Sequence, residues 1–191
     1  MKKKLITFIF LLSLFSFSKS ASKVETFISN LEIVGKKMVS AQWKYSNSNN
    51  AVSYSSAKEK KTANCARYVN YALQLSGFLQ KSQSFYSNKN GKLVIGTAGL
   101  NFMKQKGIKQ ITYSGGKKIE SAGLKKGDIV LWKLHTNVFN GIVNGKYTWY
   151  DGGKKSTDKT GSEGGTYIKY KRTGTTGFTS DNKVYGILRL S

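Results

Sequence analysis

Apolar residues recur at three- and four-residue spacing through Val24, Phe27, Ile28, Leu31, Val34 and Met38, which places one apolar stripe along a helix. Ser22 and Glu25 at its start have the spacing of a capping box. Trp43 and Tyr45 lead into a polar stretch, rich in Ser and Asn, that reaches about Ala57. Lys58-Glu59-Lys60-Lys61 then reads as a solvated charge run. A second helix is expected to begin near Thr62 or Asn64 and to run to Leu75, where Ser76-Gly77 stops it. A third is expected from Thr97 to Lys106, closed by Gly107, with Leu100 and Met103 on one face.

Beyond that point the period changes. Asp128 to Trp132, Asn137 to Val143, Tyr147 to Asp151, Thr166 to Lys171 and Val184 to Leu190 are short β-rich segments bounded by Gly, Asn and Asp. Helices first and strands later describe an α+β domain, with N-terminal helices packed on a mostly antiparallel sheet. Gly152 to Gly165 is rich in Gly, Ser, Thr and Lys and reads as a long mobile loop. No internal repeat and no linker divide the chain.

The first twenty residues follow a different logic. Met1-Lys2-Lys3-Lys4 is a basic segment, and Leu5 to Phe17 is apolar apart from Thr7, Ser13 and Ser16. Small residues follow at Ser18, Ser20, Ala21 and Ser22. This is the layout of a secretory signal peptide, and the apolar run is short for a membrane span. Cleavage after Ser20 or Ser22 is expected. That assigns residues 1–20 to the signal and 21–191 to a single secreted domain, with no stable membrane insertion once the signal is gone.

Composition narrows the partners. The 191 residues carry 32 Lys and Arg against 9 Asp and Glu, a net charge of +23. Loss of Lys2, Lys3, Lys4 and Lys19 with the signal leaves +19. Such a field favours anionic partners. Secretion argues against nucleic acid and for an anionic cell-envelope polymer. Lysine runs at Lys117-Lys118, Lys154-Lys155 and Lys169 to Arg172 would concentrate the protein there, although solubility alone explains any one of them. One Cys and one His exclude an internal disulfide and are too few for a zinc site of Cys/His type. The scattered acids offer no obvious metal cluster for a nuclease.

Three residues could carry chemistry. Cys65 falls at the start of the second helix, where free N–H groups and the helix dipole favour a thiolate and could receive an oxyanion. The alternative is a small buried apolar residue. An unpaired thiol in an oxidising compartment suggests a reactive use. His135, the sole histidine, lies between two apolar strands and is the natural base near neutral pH. Asp151 closes the strand that follows, where it could orient the imidazole or simply begin a turn before Gly152-Gly153. Asp128, in Gly-Asp before a strand, reads as turn chemistry.

Asn64-Cys65-Ala66-Arg67-Tyr68-Val69 at a helix start, Leu124-Lys-Lys-Gly-Asp-Ile-Val-Leu-Trp132, and then His135 opening a strand, together resemble the NlpC/P60 and CHAP group of cysteine hydrolases. The resemblance runs from about Trp43 to Leu190. Cys-x-x-Tyr-Val is closer to the CHAP form, while Asn-Cys-Ala-Arg departs from the Asp-Cys-Ser-Gly usual in NlpC/P60 enzymes. Membership would imply a papain-like α+β fold and cleavage of amide bonds in peptidoglycan peptides, by endopeptidase or amidase action. It would make Cys65 the nucleophile, His135 the general base and later acid, and Asp151 the orienting third member, with a thioester intermediate and no cofactor or metal. The same resemblance puts Asn64, Arg67 and Tyr45 against the substrate. Tyr45 could equally be a core aromatic.

Two other classes compete. A catalytically silent module on the same scaffold would hold wall polymer or glycan by charge and aromatics. A cationic membrane-active toxin would need an amphipathic cationic helix, and the first helix carries both signs, Glu25 and Glu32 with Lys36 and Lys37.

Overall fold

The computed structural model describes residues 22–47, 52–84, 87–89, 92–94, 109–111, 119–132, 135–153, 168, 170–174 and 184–191. The expected signal segment 1–20, the third expected helix and Lys117, Lys118, Lys154 and Lys155 lie outside the described residues, as does nearly all of the loop expected after Gly152.

Helix α1 spans Lys23–Ser40 and starts on the expected capping box: Glu25 N–H donates to Ser22 Oγ at 3.2 Å, and Ser22 N–H donates to Glu25 Oε2 at 2.7 Å. Phe27, Leu31, Val34 and Met38 from its stripe are buried. A short strand, β1 (Lys44–Tyr45), follows, and then α2 (Tyr54–Lys60). The sequence reading had no helix there. Ser53 caps it, with Oγ accepting from Ser56 N–H at 3.2 Å, and Lys61 ends it in the left-handed region at φ 49. Ala57 is its sole buried residue, so no apolar stripe marked it. Strand β2 (Thr62–Ala63) pairs in parallel with β1 and delivers the chain into α3 (Cys65–Leu75).

Strands β3 (Ser87–Lys89) and β4 (Lys92–Val94) form a hairpin of their own, and β5 (Lys109–Ile111) joins the main sheet; none of the three was expected. A 3-10 turn over Ile119–Ala122 precedes β6 (Ile129–Trp132), β7 (Thr136–Val143), β8 (Lys146–Tyr150), β9 (Lys171–Thr173) and β10 (Val184–Arg189). Their order across the sheet is β5-β10-β6-β7-β8-β9, every neighbour antiparallel. The chain is therefore a mixed α+β fold with a six-stranded antiparallel sheet among the described residues. Of the strand expected over 166–171, Ile168 forms a bridge, its N–H donating to Trp43 O at 3.0 Å, and Lys171 opens β9, while residues 166, 167 and 169 lie outside the described residues.

The sheet has two packed faces, as strand alternation dictates. Ile129, Leu131, Val138, Tyr150 and Leu188 face the helices, in one core with α1 and α3. Val130, Trp132, Phe139, Trp149 and Ile187 form a second core with Ile119. Ring centroids there lie 5.4 Å apart for Phe139–Trp149 and 6.5 Å for Trp132–Trp149. Asp128 is buried and does more than make the expected turn. Its Oδ2 accepts from Lys125 N–H at 2.7 Å, and its two oxygens take Arg189 Nε and Nη2 at 2.8 and 2.6 Å. The bidentate pair pins β10 to the entry of β6, and its hydrogen bonds hold the guanidinium pKa above its ordinary value.

Glu32 ties α1 to the far edge of the sheet. Its carboxylate accepts from Lys171 Nζ at 3.0 Å and from Tyr170 Oη at 3.3 Å, and lies 3.5 Å from Lys36 Nζ. Beside it, Gly35 leaves room for the Tyr170 ring; a Cβ added there would overlap the ring atoms. Gly35→Ala is therefore expected to destabilise the fold by about 1–3 kcal/mol through overpacking, despite Ala being the better helix former. Urea unfolding checks this, and a variant as stable as wild type would show that Tyr170 does not pack on α1.

Candidate active site

Cys65 is the first residue of α3, and the local sequence explains why the helix begins there. Asn64, extended at φ −136, is the N-cap: its Oδ1 accepts from Arg67 N–H at 3.0 Å while its Nδ2 donates to Asn47 Oδ1 at 3.3 Å. Both ends of the Asn64 side chain are thus engaged within the protein, in a capping role rather than a substrate-facing one. The N–H groups of Cys65 and Ala66, in the first turn, have no acceptor inside the helix. They are placed to receive negative charge developing beside the sulfur.

His135 immediately precedes β7, and its carbonyl accepts from Trp132 N–H at 2.8 Å, closing β6 onto β7. The next two residues are locked as well: Thr136 Oγ1 donates to Val130 O at 3.0 Å, and Asn137 Oδ1 accepts from Trp132 Nε1 at 3.0 Å. Asp151 immediately follows β8, which pairs with β7 and brings the two residues to the same end of the sheet. Its N–H donates to Tyr170 O at 2.9 Å.

The side chains converge. His135 Nε2 lies 2.9 Å from Asp151 Oδ1, and the Cys65 side chain hydrogen-bonds the imidazole. Cys65 is 3% exposed, Asp151 is 0% exposed, and 16% of the His135 side chain remains accessible. Gly152 permits this closeness. A Cβ there would sit 2.7 Å from Tyr68 Cβ and 3.2 Å from Cys65 Cα, so only glycine lets the end of β8 meet the first turn of α3.

Burial opposes charge on the imidazole. The negative charge that Cys65 can carry and the Asp151 carboxylate more than offset this, pushing the His135 pKa up to about 10. The arrangement favours the protonated imidazole.

The structure also brings in a residue that the sequence reading did not single out. Arg172, on β9 opposite Trp149, places Nη1 3.5 Å from Asp151 Oδ2. The sequence reading had put it in a lysine-rich run that concentrates the protein on polymer. Its signal was its place two residues along the strand from Tyr170, in register with the strand that ends at Asp151.

Arg67 is buried on α3, its positive charge acting on Tyr71, whose pKa burial raises to about 12. It is packed inside the protein rather than presented at the surface. Tyr45 pairs with Ala63, two residues before Cys65, and is half-buried against the helix-side core. No group of three His, Cys, Asp or Glu side chains among the described residues is arranged to hold a metal, and no helix among them is long and apolar enough to cross a membrane. Comparison with protein families, curated proteins and solved structures finds no match to this chain.

As the sole histidine, His135 gives a single imidazole signal. Its titration followed by NMR is expected to centre near pH 10 and to move down in both Cys65→Ala and Asp151→Asn. Because the folded pKa lies above the unfolded value of about 6.5, the stabilisation from this proton is complete below about pH 6.5. It is lost as pH climbs toward 10. A midpoint near 6.5 in wild type would mean that the three groups do not act on one another.

Proposed function

We propose that the chain is a secreted cysteine hydrolase of papain-like type, similar to the NlpC/P60 and CHAP enzymes, that cleaves amide bonds in the peptides of peptidoglycan. The observation that carries this reading is the convergence of Cys65, His135 and Asp151 at the first turn of α3, with Nε2 and Oδ1 2.9 Å apart. A nucleophile, a base within hydrogen-bond reach and a third group that orients the base are what acyl transfer needs.

In this mechanism the Cys65 thiol passes its proton to His135 as its sulfur attacks the scissile carbonyl carbon, and the oxygen's developing charge is met by the N–H groups at the start of α3. His135, protonated while flanked by Cys65 and Asp151, donates its proton to the departing amine as the C–N bond breaks. That leaves a thioester on Cys65. Water then attacks the thioester while His135 accepts a proton; the carboxylate product leaves and the sulfur is restored. Asp151 keeps Nε2 engaged throughout and so holds the imidazole in one orientation beside the sulfur. The strongly basic chain would be retained near anionic wall polymer by long-range attraction that weakens with salt.

The test is mass spectrometry of soluble fragments released from purified peptidoglycan by the mature protein. Wild type is expected to release peptide-containing fragments whose masses identify the bond, and Cys65→Ala none. Equal release by both proteins would remove the thiol mechanism. Release by neither, over several wall types, would favour the silent binding module, for which salt-sensitive sedimentation with the wall should survive Cys65→Ala. Gly152→Ala should slow release about 100-fold, since an added Cβ forces α3 away from the base by a sizeable fraction of an ångström. Activity unaffected by that change would mean that the first turn of α3 does not position the nucleophile.

A further inference from the structure

The geometry points to Arg172 as a positioning residue that holds the buried Asp151 carboxylate between two cations, presenting one oxygen to His135 while sharing the carboxylate's charge. The catalytic meaning of this rests on the proposed hydrolase reading; the physical part does not.

Asp151 is wholly enclosed, and its two oxygens point in different directions: Oδ1 to His135 Nε2 at 2.9 Å and Oδ2 to Arg172 Nη1 at 3.5 Å. A buried carboxylate that lost its last opposite charge would be strongly destabilised. Each time His135 gives up its proton, Asp151 would be left in that state if histidine were its only cation. A guanidinium removes this difficulty because it stays charged at every relevant pH. The imidazole can then release and recover a proton without a lone buried charge appearing beside it.

Arg172 is also well held for such a role. The backbone before it is fixed by Tyr170 O accepting from Asp151 N–H at 2.9 Å, and by Glu32 on α1 accepting from Lys171 Nζ at 3.0 Å. After it, Gly174 O accepts from Trp149 Nε1 at 3.1 Å, and Gly174 N–H donates to Tyr147 O at 2.7 Å. A quarter of the Arg172 side chain is accessible, so the residue bridges solvent and the buried acid. Among the described residues, α3 also contributes titratable groups that act on Asp151 and His135: Cys65, and Tyr68, whose hydroxyl donates to Leu31 O at 2.7 Å. Imidazole, carboxylate and guanidinium thus form a row in which the buried acid lies between two cationic groups, running from the start of β7 past the end of β8 to β9.

The experiment reads the single imidazole signal in the mature protein. Arg172→Gln removes the compensating charge, so proton loss from His135 becomes harder and the midpoint should rise by about one pH unit. Arg172→Lys keeps a positive charge near Oδ2 and should titrate close to wild type. The double variant Asp151→Asn, Arg172→Gln should match Asp151→Asn alone, because Arg172 acts through the carboxylate. A merely structural arginine would lower the unfolding temperature of Arg172→Gln and leave the midpoint where it was; that result, or a downward shift, overturns the inference. If Arg172→Gln does not fold, the comparison of the double variant with Asp151→Asn decides, and a clear difference between those two overturns it. In the fragment-release assay, Arg172→Gln should be slower, with the alkaline limb of its pH profile displaced upward as the imidazole midpoint is. Wild type that releases nothing would dismiss the hydrolase reading, and the titration would still settle whether Arg172 acts on His135 through Asp151.

Discussion

The site depends on how closely two backbones approach each other. The end of β8 lies against the first turn of α3, and the contact is possible because residue 152 has no side chain. Everything chemical follows from that spacing. Asp151 sits one residue before the contact and Cys65 on its other side, so the imidazole from the neighbouring strand is enclosed between an acid and a sulfur. A helix start fixed by Asn64 and strands fixed by backbone ladders leave these groups little freedom. Preorganisation of this kind is a property of the scaffold, present before any substrate arrives.

Burial makes the charges consequential. In water an imidazole beside a carboxylate gains little, but in an enclosed site the same pair is strongly coupled. The protein balances that coupling at the acid: Asp151 meets the imidazole at one oxygen and, at the other, a guanidinium that touches solvent. The same device recurs at a distance from the site. Asp128, also buried, takes Arg189 in a bidentate pair and anchors β10 to β6. In both places an acid within the sheet is answered by an arginine from an edgeward strand.

Much of this was legible in the sequence where local rules are strong. The capping box at Ser22 and Glu25, the apolar stripe of α1, a helix start near Thr62 or Asn64 and the stop at Ser76-Gly77 all follow from short-range chemistry, and the structure begins α3 just after Asn64. The strands around His135 and Asp151 were marked by period and by flanking turn residues. Helix α2 was missed because a seven-residue helix with one buried alanine has no periodicity to read. Strand β5 and the two-residue strands were missed because pairing, not pattern, defines them. Arg172 was missed for a deeper reason: its role depends on which strand lies beside β8, and 21 residues separate it from Asp151 in the chain. Arg67, singled out as substrate-facing because it is basic and near the sulfur, is instead packed inside beside Tyr71. Proximity in sequence does not say which side of a helix a residue takes.

The position of β10 bears on when the molecule can become whole. Residues 184–189 do not line the sheet's border; they lie between β5 and β6, second from one edge. Until that segment is available, β6 has a bare edge, Asp128 lacks its arginine, and the second core lacks Ile187. A ribosome working from the other terminus makes the helix with the sulfur early and the strand that completes the sheet very late. Closure of the second core and of the Asp128–Arg189 pair thus waits on the last of the described strands to be made, long after the helix that carries the sulfur.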